Sequence, residues 1–176
     1  IAGVAIGILT YISSDAELCT LTFWTMGSFG GVTWNLLIPA IVVILGAMLY
    51  MAPAYRALDL IQLGEVEAYR LGVDVKGLKY RVIMSAAAAV GASVALSGMI
   101  GFVGLVVPHV ARMLGGVSHR YLLPASATLG AALMISADML ARMVVQPAEL
   151  PIGLITSAIG SPFFLWLIFR MKQNVY

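Results

Sequence analysis

Two side chains in this sequence have the chemistry for acid–base work in an apolar setting, His109 and Asp138. A hydrolytic site built on them would also need a positioned nucleophile and oxyanion donors. Serines are plentiful, but there is no GxSxG elbow, no HExxH pair and no second intramembrane aspartate with a protease-like flank. His109 follows Pro108, where the ordinary role of a ring nitrogen is to satisfy a carbonyl freed by the proline. Asp138 stands one helical turn before Arg142, and the two can neutralise each other. Cys19 is the single cysteine, so it has no disulfide partner and no metal-site spacing. No Walker sequence cradles a phosphate. The expectation is a chain that is not an enzyme, with no metal and no cofactor of its own, and with any ATP hydrolysed by another subunit.

The elements around these residues are set by hydropathy. Apolar residues make up 61% of the chain and charged residues 10%, with a mean hydropathy of +1.00. A soluble domain of 176 residues would need a polar face on most helices, and these segments lack one. The apolar runs are continuous and do not alternate, which predicts an all-α, polytopic membrane bundle and not a barrel. At about 20 residues per span, about five or six spanning helices fit. The net charge of +2, with no basic patch interleaved with aromatics, gives no reason to expect nucleic acid. The chain opens at Ile1 inside an apolar run too short to span, which reads as the later part of a longer protein.

One window breaks the apolar pattern. Between Gly64 and Arg81 stand Glu65, Glu67, Arg70, Asp74, Lys76, Lys79 and Arg81. Val66, Tyr69 and Val73 recur there at helical spacing, Gly72 reads as a C-cap, and Asp74 can cap a second brief turn that Gly77 ends. Two short amphipathic helices joined at a glycine would make a compact knob on the membrane surface. An ordinary polar loop is the plainer alternative.

Elsewhere, residues 1–12 read as the end of a spanning helix that reaches water at Ser13, Ser14, Asp15 and Glu17. The stretch LTFWTMGSFGGVTWN reads as a short interfacial or re-entrant helix, or a plain interfacial loop. Trp24 and Trp34 suit an interfacial belt, while Gly27, Gly30 and Gly31 permit a close approach or a sharp bend. Further spans are predicted over 36–54, 122–141 and 151–168. The run 82–111 is too long for one straight helix and too short for two full ones. If it crosses once, the basic residues divide between both sides. If it crosses, turns near Gly101 to Gly104 and returns as a short helix, nine of the ten Lys and Arg residues share one side and Arg142 alone lies opposite. The positive-inside rule favours the second arrangement, with the charged window and the C-terminus cytoplasmic and Asp15, Glu17, Arg142 and Glu149 outside. Ser85, Ala89, Ser93, Ser97 and Gly101 form one small-residue stripe, and Gly153, Ser157 and Ser161 another, both suited to close helix packing.

Several segments together resemble one family. GEVEAYRLGVDV, GMIGFVGLVVPHVARMLGG with HRYLLP, ADMLAR and ELPIGLITSAIGSPFFLWLI are similar, in order, to the permeases of type II ABC importers, which carry iron–siderophore complexes, haem and vitamin B12 into bacteria. The resemblance covers essentially the whole chain. It implies the C-terminal half of a ten-helix permease of the bacterial inner membrane, from within the fifth helix onward. It also implies a homodimer, cytoplasmic ABC ATPase subunits that bind ATP and Mg, a periplasmic substrate-binding protein, and transport by alternating access. On the same resemblance, residues 64–81 are coupling helices, with Glu65, Ala68, Leu71 and Gly72 toward the ATPase. Trp24, Gly27, Gly30 and Gly31 flank the outer mouth of the pathway, Gly153, Ser157 and Ser161 lie at the dimer interface, and Arg142 meets a glutamate of the binding protein. An ion-coupled secondary transporter is the rival, and it would need intramembrane carboxylates near the bilayer centre, for which Asp138 is the one candidate. A purely structural membrane subunit gives no reason for the knob.

Overall fold

A computed structural model describes residues 2–144 and 150–173. The expectation for Glu149 therefore lies outside the described residues, which are almost entirely helical. Helices α1 (Ala2–Ile12) and α2 (Asp15–Met26) are separated by Ser13 and Ser14. The Ser14 backbone N–H and hydroxyl both donate to Glu17 Oε2, at 2.8 and 2.9 Å, and hold that carboxyl below the usual range. These bonds fix the start of α2. The sequence expectation of a short helix is met, but it begins at Asp15 and runs twelve residues, about 18 Å, too little to span.

Helix α3 (Trp34–Met51) continues through a 3₁₀ turn at Ala52–Ala54 into α4 (Tyr55–Ile61); α5 (Glu65–Arg70) follows. Next come α6 (Val75–Ser97), α7 (Val103–Gly115), α8 (His119–Val144) and α9 (Ile152–Gln173). Among the described residues, four helical stretches are long and apolar enough to cross a membrane: 34–61, 75–97, 119–144 and 152–170. The shorter α7 has thirteen residues and covers about 20 Å.

The apolar run 82–111 divides as charge parity requires. Gln62, in the turn after α4, lies 3.4 Å from the Val117 carbonyl, and Asp59 of α4 bonds Ser118 and His119. The turn after α7 is therefore at the same end as the charged window, and α7 is a return helix. The turn itself sits earlier than expected: α6 ends at Gly98, and Gly104 is already inside α7. Cysteines introduced at Lys76 and Gly116 should be labelled only from the cytoplasm and one at Thr33 only from outside; labelling of Gly116 from outside would contradict this arrangement.

The helices pack through small residues. The buried apolar positions include Ala40, Ala47, Ala54, Ala111, Ala137 and Ala141, while large side chains such as Leu49 and Ile83 face outward. That pattern suits helices packed closely in lipid. The most extensive helix pair is α3 with α6, followed by α7 with α8. Of the serine stripe on α6, Ser85 and Ser97 are buried, and Ser85, Ser93 and Ser97 donate to the Arg81, Ala89 and Ser93 carbonyls of their own helix. Those hydroxyls are satisfied locally, so the stripe serves packing. Gly101 leaves it, because the helix has already ended.

Candidate coupling surface and outer junction

The charged window builds its knob one step earlier in the chain than the sequence indicates. Asp74 does cap a helix, accepting the Gly77 N–H at 3.1 Å, but that helix is α6 itself, which runs through Gly77 into the membrane span. The two short helices are α4 and α5, joined through Gln62, Leu63 and Gly64. Gly72 closes α5. Its N–H donates to the Tyr69 carbonyl and the Val73 N–H to the Ala68 carbonyl, both at 3.0 Å, the bond pair of a Schellman cap. Gly72 takes φ +86°, which a residue with a Cβ resists.

The faces of α5 are also reversed from a simple amphipathic reading. Ala68 is fully buried beneath the helix, so its part in any contact is to seat α5. Val66, Tyr69 and Leu71 point out of the chain, with Tyr69 73% exposed, and Leu63 lies exposed just before them. Glu65 is exposed too and pairs with Lys79 of α6 at 2.7 Å. With both partners at the surface, that pair adds at most about 1 kcal/mol. Leu63, Val66, Tyr69 and Leu71 are thus left exposed among the charges of this window.

At the opposite end three helix termini converge. The Ser28 N–H donates to the Ser97 carbonyl at 2.8 Å, and the Gly153 N–H lies 3.5 Å from the Gly27 carbonyl. A Cβ on Gly98 would collide with the Trp24 carbonyl, and one on Gly153 with the Met26 carbonyl. Gly27 is buried in this junction, whereas Trp24 keeps its indole exposed and Gly30 and Gly31 form an exposed turn. The glycine of the α9 stripe is thus used inside the chain. Ser157 is half-buried and Ser161 exposed, leaving these two to face outward.

Beside the junction, Ala137 and Ala141 of α8 pack on Ile152, with Phe29, Met134, Leu150 and Ile155 around them. Arg142 Nε donates to Asp138 Oδ2 at 2.9 Å, so the neutralising pair read from the sequence is formed. His109 meets the Phe163 ring edge-on at 5.8 Å. The two residues with acid–base chemistry therefore each face a different partner.

Sequence reasoning missed a cluster at the knob end. Asp59 Oδ1 accepts the His119 backbone N–H at 2.7 Å and lies 2.7 Å from His119 Nδ1, while Oδ2 accepts the Ser118 hydroxyl at 3.1 Å. The available signal was Asp59 and Gln62 as polar residues within RALDLIQLG.

Comparison with known proteins adds four matches. Residues 1–170 match the FecCD transport family. The chain is 49% identical to the hemin transport system permease protein HmuU of Yersinia pestis, over 99% of this chain and 52% of that protein. It is 43% identical to the vitamin B12 import system permease protein BtuC of Vibrio parahaemolyticus, over 97% of this chain and 54% of that protein. It thus spans about half the length of the curated relatives it matches. A solved structure of a metal-chelate type ABC transporter in an inward-facing conformation superposes with a TM-score of 0.88 at 37% identity, covering 96% of this chain and 55% of that one. The sequence match and the helix order agree: this multi-pass chain of the bacterial inner membrane belongs to the FecCD transport family.

Proposed function

We propose that this chain is the ATPase-coupling half of a permease subunit that imports an iron chelate, haem or a ferric siderophore, from periplasm to cytoplasm by alternating access. The observation that carries the reading is the α4–α5 knob, a closed structure between α3 and α6 that turns apolar side chains of α5 out of the chain. A cytoplasmic ATPase subunit is the partner that fits it, and ATP and Mg would be bound there. Closure of the ATPase pair would move the knob as a rigid body and rock the permease about its partner copy. Ser157 and Ser161 on α9 are the proposed contacts with that second copy.

Haem comes first among cargoes because the haemin permease relative shares more identity than the vitamin B12 permease; vitamin B12 is the alternative. The secondary-transporter reading loses its main support, since its one candidate carboxylate, Asp138, is paired with Arg142. The deciding experiment adds loaded binding protein to the full permease–ATPase complex and measures ATP hydrolysis with haemin, a ferric siderophore or cobalamin. Stimulation by haemin is expected; stimulation by cobalamin alone would reassign the cargo, and stimulation by none would remove the reading.

Arg142 is the proposed docking point for the binding protein. An exposed pair with Asp138 four residues away stabilises by only a few tenths of a kcal/mol. A facing carboxylate on a partner gives the arginine a stronger reason to stand outside. Arg142→Glu should weaken docking roughly tenfold at low salt, chiefly by slowing association, and slow uptake accordingly. Reversing the facing charge on the binding protein should restore part of the loss. Unchanged docking at low salt would leave its contacts within the chain, the Asp138 pair among them, as its role.

A further inference from the structure

Helix α8 begins with a residue well suited to cap it locally, yet the cap comes from elsewhere. Ser118 stands where a helix-capping hydroxyl belongs, and that hydroxyl donates to Asp59 Oδ2. The carboxylate that receives the first α8 amide belongs to Asp59, sixty positions earlier in α4. A negative charge at a helix N-terminus is favourable, and bonds to an ionised acceptor are the stronger kind.

The rest of the cluster tightens the same joint. His119 Nδ1 lies 2.7 Å from Asp59 Oδ1 and 3.1 Å from the Gln62 amide nitrogen. One ring nitrogen cannot donate to the carboxylate and accept from the amide at once. The shorter, charge-assisted contact assigns the proton to Nδ1, and the Gln62 amide then donates toward the Val117 carbonyl. Asp59 and Gln62 thus hold the segment 117–119 from the α4 side. His119 is mostly buried and Asp59 two-thirds buried, unlike the exposed Glu65–Lys79 pair that ties α5 to α6.

What the joint connects gives it a purpose. On one side is α4, continuous with the α5 docking patch through a three-residue turn. On the other is α8, twenty-six residues and about 39 Å long, which ends beside the outer junction and carries Arg142. We propose that Asp59 is a positioning residue for transport, the joint through which displacement of the α4–α5 knob is passed to α8 and so to the outer end of the pathway. The proposal rests on the ATP-driven importer reading above.

The test uses the full-length permease with its ATPase and binding protein in proteoliposomes, and reads cargo taken up per ATP hydrolysed with haemin, a ferric siderophore and cobalamin as probes. Asp59→Ala should still assemble with the ATPase and hydrolyse ATP, while uptake per ATP falls about fivefold or more, the lower end of typical coupling between sites. Asp59→Asn keeps a carbonyl for the His119 amide and should recover part of the ratio. His119→Ala keeps the backbone bond and should lose less than Asp59→Ala. A residue that only stabilised the fold would lower folded protein, hydrolysis and uptake in step, leaving the ratio unchanged. An unchanged ratio in the variants that fold would overturn the joint, and so would failure of all three to fold. If the unmodified complex takes up none of the probes, the importer reading fails and the joint falls with it, a result distinct from normal uptake with an unchanged ratio.

Discussion

Replacing Gly72 with valine should leave the chain in the membrane but reduce ATP-dependent uptake at least tenfold. The residue stands at φ +86° with nothing within 4 Å of where a Cβ would stand, so the penalty comes from the backbone and not from crowding. A β-branched residue in the left-handed region costs about 1–2 kcal/mol or more, comparable with the whole contribution of a helix cap. The chain would relieve that strain by giving up the bonds from Gly72 to Tyr69 and from Val73 to Ala68, which fix the end of α5. Leu71 and Tyr69 would then lose their placement on the docking patch. A graded series separates this from a general defect: asparagine, which visits the left-handed region, should be mildest, alanine intermediate and valine worst. Equal uptake across the series would show that the knob end needs no defined shape.

Gly98→Val should be more damaging to the fold itself, lowering stability by about 3 kcal/mol or more. Two independent penalties meet there. The backbone at φ 70° and ψ −165° lies in a region essentially confined to glycine. A Cβ would also collide with the Trp24 carbonyl, part of a backbone that the Ser28–Ser97 bond holds in place. Thermal unfolding of the detergent-solubilised protein is the measurement. Gly104, in the same glycine-punctuated stretch, is the control: it lies inside α7 with nothing near its missing Cβ, so Gly104→Ala should be neutral or stabilise by about 0.5–1 kcal/mol. Equal loss from both changes would mean that the junction is looser than its backbone contacts indicate.

The contrast between these glycines shows what a sequence makes visible. Gly98, Gly101 and Gly104 read alike as breaks in an apolar run, and three-dimensional contact with α2 is what separates the first from the others. Charge was more informative: the excess of Lys and Arg on one side favoured a run 82–111 that turns back, and the bonds between Asp59 and the 118–119 segment bring the far end of α7 to the knob end. Gly72 was legible because a C-cap is a local event. The faces of α5 were not, since apolar spacing says which side chains share a face and not whether that face meets the chain or a partner. The Asp59–His119 joint left no local pattern either, because its two halves lie sixty positions apart and each half looks ordinary alone. Arg142 and Asp138, four residues apart on one helix, were readable for the opposite reason.

The central proposal is that ATP binding and hydrolysis on a partner ATPase, passed on through the α4–α5 knob, drive import through this chain. It is tested most directly by uptake of labelled haemin into proteoliposomes holding the full permease–ATPase complex, with binding protein outside and ATP either enclosed or omitted. Uptake that requires enclosed ATP, continues after ion gradients are collapsed and is lost in Gly72→Val is the predicted result. Uptake driven by an imposed proton or sodium gradient without ATP would contradict it.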